Sequence, residues 1–243
     1  MRFTSELRLD DGVLEREFTL GEIPGILWTP ASASAPAPLI LLGHPGGLHK
    51  MYPRLVARAR HCAAAGYAAA TIELPGSGDR PRSAAAEEAR ADLRRALEAG
   101  EPVDDEIVDR LVLPLVDEAV PEWRAALDAL LSLPEIGSPV GYAGGVISIG
   151  LRLAVVEPRI SAALLFAGSI VPRTLFEEAR QVTIPLQVLL QWDDEGNDRQ
   201  MALDLFDAFG TTEKTLHANM GGHTGVPQFE GDDGNRFFAR HLK

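Results

Sequence analysis

The fold is decided by the stretch Pro139–Val140–Gly141–Tyr142–Ala143–Gly144–Gly145–Val146–Ile147–Ser148–Ile149–Gly150. A short apolar run leads into the glycines and an apolar run with few charges leads out of them, which predicts a buried strand, a tight turn and a buried helix. A turn of this kind raises one side chain above the sheet. With Gly141 and Gly145 as its small flanking residues, the raised residue is predicted to be Ala143, which has no oxygen and no ionisable group.

The chain before this turn predicts an α/β architecture. Residues 2–30 alternate apolar and polar positions between turn signals, which predicts a small antiparallel meander. The segments Leu39–Leu42, Pro53–Gly66 and Tyr67–Leu74 then predict strand, helix and strand, a right-handed βαβ unit. Ligands bind beyond the carboxyl ends of strands in such sheets, where His44–Pro45–Gly46–Gly47 follows the first strand.

The segment from about 79 to 120 is longer than a simple crossover requires. Ser83–Gly100 is predicted to be a helix with a cap at each end, and Arg110–Leu133 to hold helices interrupted at Pro114 and Pro121. We interpret part of residues 79–120 as a small helical lid over the site, whose many charges form a solvated face.

The remaining chain continues the alternation within a single domain of residues 1–243. Further strands are predicted at Ile160–Phe166, Pro185–Leu190 and Lys214–Ala218, and further helices at Leu175–Arg180, Gln200–Phe209 and Phe229–His241.

Polar residues gather in loops at the carboxyl ends of three predicted strands. Gln191–Trp192–Asp193–Asp194–Glu195 follows one strand, Asn219–Met220–Gly221–Gly222–His223 follows another, and the third loop is the glycine turn. In this order of turn, acid and histidine, the chain resembles the α/β-hydrolases, and is similar to the compact dienelactone hydrolases and bacterial carboxylesterases. The resemblance covers nearly the whole chain. It implies a mostly parallel, doubly wound sheet and a serine hydrolase of carboxylic esters or related acyl compounds.

The resemblance also assigns roles to individual residues. It makes His223 the general base and Asp194 the carboxylate that orients it, with Asp193 as the alternative acid. Two backbone N–H groups would hold the developing oxyanion, and Gly144 and Gly46 are the candidates, because Pro45 has no N–H to give.

Two other histidines are interpreted as non-catalytic, and His49, His61 and His241 carry no signal. His44 opens the glycine loop and is interpreted as a hydrogen-bonding brace for it, and His217 lies within a predicted strand.

Ala143 stands where the resemblance places a nucleophilic serine. Our favoured interpretation is that it replaces a natural serine and inactivates an otherwise complete triad, because the histidine, acid and amide donors all remain. The alternative is a natural alanine. The fold then serves ligand binding, or lyase, cyclase or acyltransferase chemistry that needs only the base and the oxyanion hole.

The residues expected at the mouth of the site are mostly apolar, and favour an uncharged or hydrophobic acyl group: Leu48, Met51, Tyr52, Trp192 and Met220. The acidic run Asp193, Glu195 and Asp198 lacks the glycine and distal glutamate spacing of a calcium loop. We therefore expect no metal, nucleotide or organic cofactor.

Composition limits the partners. The formal charge of -12 argues against nucleic acid, because binders of phosphate backbones carry a basic surface. No apolar run reaches the ~20 residues that a membrane-spanning helix needs, and the N-terminus lacks a signal-peptide pattern, so we expect a cytoplasmic protein. Cys62 is the single cysteine and is expected to be a buried helix residue. A homodimer is left open.

Overall fold

In the computed structural model, which describes residues 1–30 and 36–243, nine strands form one sheet. The strands are β1 (Arg2–Arg8), β2 (Leu14–Leu20), β3 (Ile23–Thr29), β4 (Ala37–Gly43), β5 (Ala68–Ile72), β6 (Ile136–Gly144), β7 (Ile160–Phe166), β8 (Leu186–Gln191) and β9 (Lys214–Asn219). The helices are α1 (Leu48–Ala64), α2 (Ala84–Ala99), α3 (Asp105–Leu131), α4 (Ile147–Val156), α5 (Leu175–Ala179), α6 (Arg199–Ala208) and α7 (Phe229–Leu242).

The sheet is antiparallel at one end and parallel through the rest. Its strand order is β1-β2-β3-β5-β4-β6-β7-β8-β9, with β1, β2 and β3 antiparallel to their neighbours. The strands from β5 to β9 in this order pair in parallel. The predicted meander and parallel α/β sheet are thus confirmed.

Helices cover both faces of the sheet because successive residues of a buried strand point to opposite sides. Leu39 and Leu41 of β4 belong to the core beneath α3, α4, α5 and α6, whereas Ile40 and Leu42 belong to the core beneath α1 and α7. The same alternation places Tyr142 of β6 on the first side and Ala143 on the second.

Helix α3 differs from its prediction. It runs unbroken from Asp105 to Leu131 with Pro114 and Pro121 inside it. Each proline removes one backbone hydrogen bond, but the helix buries an apolar face that includes Trp123 and Leu127, and this burial outweighs the loss.

The segment predicted to be a lid packs elsewhere. Helix α2 lies against α3, and α3 lies against α4 and β6 as the crossover between β5 and β6. The predicted caps of α2 are present, with Ser83 accepting from the Ala86 N–H and Gly100 in the left-handed conformation. None of residues 79–120 lines the cavity that holds His223.

Within the described residues, no helix combines the length and apolar character needed to span a bilayer.

Candidate active site

Asp194 and His223 form a hydrogen-bonded pair beyond the ends of β8 and β9, in which Asp194 is buried and His223 is exposed. Nδ1 of His223 lies 2.7 Å from Oδ2 of Asp194, whose side chain is 2% exposed while that of His223 is 54% exposed. An ionised carboxylate can only accept, so Nδ1 carries the hydrogen and Nε2 is left with a free lone pair. The pair is arranged as an acid that orients a base.

The structure also separates the two candidate acids. Asp194 accepts from the Gly196 N–H through Oδ1 and from His223 through Oδ2. Asp193 is exposed and accepts instead from the Gly221 N–H at 3.2 Å. Of the two alternatives, the structure places Asp194 on the histidine.

His223 opens onto a cavity of about 230 Å³, which we call the His223 cavity. Its wall comes from the loop after β4, one face of α1, the turn between β6 and α4, the loop after β7 and the loop that carries His223. The ring of Phe166 meets the His223 ring edge-on at a centroid distance of 5.3 Å. This is the sheet edge at which the sequence predicted the site.

The turn between β6 and α4 lies three residues later than predicted. β6 continues through Ala143 to Gly144, and Ala143 is 5% exposed on the side of the sheet covered by α1 and α7. Ala143 does not line the His223 cavity, whereas Gly144, Gly145 and Val146 do. The prediction that Ala143 is the residue raised above the sheet is therefore wrong, because the turn begins after Ala143.

Val146 is the residue of this turn that presents a side chain to the cavity. A Cβ added to Gly145 would stand 2.8 Å from the Gly43 Cα, so no side chain fits there. Val146 is the N-cap of α4, with φ −73° and no side-chain hydrogen bond to the helix end. The residues Gly144–Gly145–Val146–Ile147–Ser148 thus occupy the strand-to-helix corner with an isopropyl group at its centre.

Two serines lie near the corner, but neither occupies its central position. Ser148 is 0% exposed in the first turn of α4. Ser169 follows β7 and lines the His223 cavity, with its Oγ buried and without a hydrogen-bond partner among the described residues.

In the loop after β4, the Gly46 amide, which was predicted to hold an oxyanion, has a different partner. The Gly46 N–H donates to Nδ1 of His44 at 3.1 Å, and Nε2 of His44 lies 2.9 Å from the Ile72 carbonyl oxygen. His44 is therefore the brace that the sequence predicted, and burial lowers its pKa so that the neutral ring is favoured. The other predicted oxyanion donor, Gly144, lines the cavity, but the Gly46 N–H is already engaged.

One of the five predicted mouth residues lines the His223 cavity, namely Met51. Leu48 and Tyr52 line a separate cleft beside β2 and β3, and the Tyr52 hydroxyl donates to Glu15 at 2.9 Å. Trp192 is 36% exposed beneath Arg199, and Met220 is 72% exposed.

Two arginines of α1 line the cavity and were not predicted. The Arg58 guanidinium donates to the Gly43 carbonyl oxygen at 3.0 Å and to the Ala143 carbonyl oxygen at 2.7 Å. Burial lowers its pKa, and the charge of Arg54 lowers it further. Among the described residues, none that lines the cavity carries a carboxylate to balance them. Their i, i+4 spacing was the available signal that they share a helix face.

One group of side chains in the described part of the chain could reach a metal ion. Ligand atoms of His217, Glu230 and Asp233 lie within 4.8 Å of one another. Protein groups already engage them: Glu230 accepts from Asn219 and contacts His217 at 2.8 Å, and Asp233 pairs with Arg236. The group lies outside the His223 cavity.

The chain is similar to solved structures over its whole length. A cold-adapted esterase from an Arctic intertidal metagenomic library, solved with bound PEG, is 30% identical, with 100% of each chain covered and a TM-score of 0.78. A dienelactone hydrolase from Anabaena variabilis is 20% identical, with 98% of this chain and 99% of the other covered and a TM-score of 0.62. An esterase from Pyrococcus furiosus shares the fold at 9% identity, with 99% and 93% covered and a TM-score of 0.64. No family model and no curated protein sequence matches the chain.

Proposed function

Because the chain belongs to the α/β-hydrolase superfamily, we propose that it hydrolyses a carboxylic ester or related acyl compound in the His223 cavity, with His223 as general base. The observation that carries this proposal is the 2.7 Å contact between His223 and the buried Asp194, with the free Nε2 on a cavity wall. The 30% identical protein is called an esterase, which supports the same reaction class.

The proposed reaction uses water as the attacking group, because the corner residue Val146 has no hydroxyl. Nε2 of His223 accepts a proton from water as the water oxygen bonds to the acyl carbon. The imidazolium is stabilised by Asp194 and returns the proton to the alkoxy oxygen as the carbon–oxygen bond breaks. The products are a carboxylic acid and an alcohol, and no acyl-enzyme forms.

Negative charge that develops on the acyl oxygen meets positive charge from two sources. The N-terminus of α4 starts at the cavity wall, and its first amides have no acceptors within the helix. The guanidinium of Arg58 lies at the same wall, against Gly144. Both are fixed before the reaction, which favours a charged transition state over water alone.

A specific observation favours a second candidate, ligand binding without turnover. Val146 occupies the corner at which the superfamily's Gly-x-Ser-x-Gly pattern carries its nucleophile. A chain that only binds acyl compounds needs the cavity and the arginines but not proton transfer.

Hydrolysis of p-nitrophenyl acetate by the purified protein and its His223→Ala variant tests the proposal. General-base catalysis contributes ~10²–10⁴-fold, so the variant should lose activity in that range. His217→Ala is the matched control, because His217 also contacts a carboxylate, at 2.8 Å, but does not line the cavity. Equal rates for the wild-type protein and His223→Ala would refute the hydrolase proposal and favour the binding candidate.

A further inference from the structure

A second, larger cavity of about 640 Å³ lies between α1 and α7 against the sheet, and we call it the α1–α7 cleft. Its floor is apolar and comes from the carboxyl-terminal parts of four parallel strands: Leu42, Ala143, Leu164 and Leu189. These side chains are between 1% and 8% exposed, so the floor lies deep beneath the helices. The proposed reaction does not use this space.

The cleft adjoins the His223 cavity. Arg58, Leu164, Leu189 and Val226 line both spaces and form a wall that the two cavities share. Val226 belongs to the segment between β9 and α7 that also carries His223. A ligand whose reacting end lies beside His223 therefore has the apolar floor of the cleft next to it.

Small residues keep the cleft open. Ala143 contributes only a methyl group to the floor, and Ala57, Gly231 and Gly234 line the helices on either side. Larger side chains at these positions would fill the space from the sheet or from the helices. The helices also contribute polar side chains to the lining, among them His61, Glu230 and Asp232, so the apolar part of the cleft is its floor. An apolar floor beside a reaction cavity is suited to an apolar part of a ligand.

Arg58 defines which end of the ligand lies at the shared wall. Its terminal nitrogens are held by the Gly43 and Ala143 carbonyl oxygens, and no carboxylate pairs with it in the described part of the chain. A guanidinium in this position can pair with a ligand carboxylate, because each terminal nitrogen has a second hydrogen to donate. The cleft would then hold the chain attached to that carboxylate.

We propose that the α1–α7 cleft is an acyl-chain site, and that the substrates are esters of medium-chain aliphatic acids whose carboxyl group lies between Arg58 and His223. The inference rests on the proposed function for turnover and names the substrate class of that same site. Binding of the acid itself does not depend on turnover. Each methylene that enters the cleft should strengthen binding by up to roughly fourfold.

Calorimetric titration with sodium octanoate and sodium butyrate tests the site directly. The wild-type protein should bind octanoate at least tenfold more tightly than butyrate. Ala57→Trp fills the cleft from an exposed position of α1 and should abolish most of that difference. Ala64→Trp is the matched control, because Ala64 is exposed on the same helix and lines neither cavity, and it should behave as the wild type does.

Equal affinity for the two acids in the wild type, or equal octanoate binding by both tryptophan variants, would overturn the proposal. Chain-selective binding that Ala57→Trp removes, in a protein without His223-dependent esterase activity, would uphold the cleft and refute the hydrolase proposal. Esterase activity with no chain preference, measured as the kcat/KM ratio of p-nitrophenyl octanoate to acetate, would uphold the hydrolase proposal and overturn the acyl-chain site.

Discussion

Replacing Val146 with serine should convert the corner into one that carries an attacking hydroxyl. Val146 lines the cavity onto which His223 opens, and Gly145 before it leaves no room for any other side chain. The introduced hydroxyl would lose its proton to His223 and bond to the acyl carbon, so that an acyl-enzyme forms before water releases the acid. The variant should therefore hydrolyse activated esters faster than the natural chain.

The size of the gain follows from what the site lacks. A complete triad is worth on the order of 10⁶ in kcat. One missing oxyanion donor costs ~10²–10³, and the Gly46 N–H is held by His44. A nucleophile about 1 Å from its best position costs ~10² more, and Val146 has an ordinary helix-cap backbone with φ −73°. We expect the gain in kcat/KM to be roughly tenfold to 100-fold.

Ala143→Ser is the control for this change. Ala143 lies inside β6, its carbonyl oxygen accepts from Arg58, and its side chain faces the α1–α7 cleft rather than the His223 cavity. A serine there should give no gain in activity, and a buried hydroxyl without a partner should lower the free energy of unfolding by about 1–3 kcal/mol.

Ester hydrolysis and labelling by a fluorophosphonate probe, with the labelled peptide identified by mass spectrometry, compare the two variants. Label on residue 146 of Val146→Ser, with none on Ala143→Ser, is the expected result. Label or a rate gain in Ala143→Ser alone would show that the corner is at residue 143, and would refute the geometry on which the site is built.

Three further outcomes follow from the same contacts. Asp194→Asn should lower His223-dependent ester hydrolysis by ~10²–10⁴-fold, because the amide no longer fixes the tautomer of His223. Asp193→Asn alters only a surface contact, and its rate in the same assay should stay within a few-fold of the unsubstituted protein. His44 is buried with a pKa below its ordinary 6.5, so the unfolded chain binds more protons and the free energy of unfolding should fall as the pH drops below about 6.5. Denaturant melts at pH 7 and pH 5.5 should show this fall, and His44→Gln should reduce it. If the free energy of unfolding falls equally in the variant, groups other than His44 cause the pH dependence. Burial raises the pKa of the Cys62 thiol to about 11, so the native protein should react with a disulfide reagent at pH 8 far more slowly than the urea-unfolded chain.

Most of the architecture could be predicted because hydrophobic periodicity and caps are local signals. Strand β7 was predicted with both of its ends, and α2 between its serine and glycine caps. The unbroken helix α3 could not be predicted, because the rule against internal prolines is local, while the apolar face that outweighs it is buried by tertiary packing against α2, α4 and β6.

The error at the turn has a similar origin. Glycines at 141, 144 and 145 allow two turns three residues apart, and the apolar residues on both sides suit a strand or a helix equally. Pairing decides between them: β6 aligns with β4 as far as Gly144 opposite Gly43, so the strand cannot end earlier. That pairing is between residues about a hundred positions apart and leaves no mark in the local pattern.

The predicted mouth residues show that closeness in sequence does not fix which way a side chain points. Leu48, Met51 and Tyr52 are close in sequence, but the helix turns about 100° per residue, and only Met51 shares a face with Arg54 and Arg58. The Asp194–His223 pair could be predicted because both residues lie within four positions of a strand end at one sheet edge, and because the resemblance to the α/β-hydrolases assigned their roles.

The close approach of Gly145 to the Gly43 backbone, which any Cβ would meet at 2.8 Å, restricts how this corner can be changed by directed evolution. In a mutant library that randomises the whole corner, most chains would carry a side chain at position 145 that collides with the Gly43 backbone. The position next to it carries no such restriction, since Val146 already holds a branched side chain toward open space. New chemistry at this sheet edge is therefore accessible through position 146 alone, with Gly144 and Gly145 kept as they are.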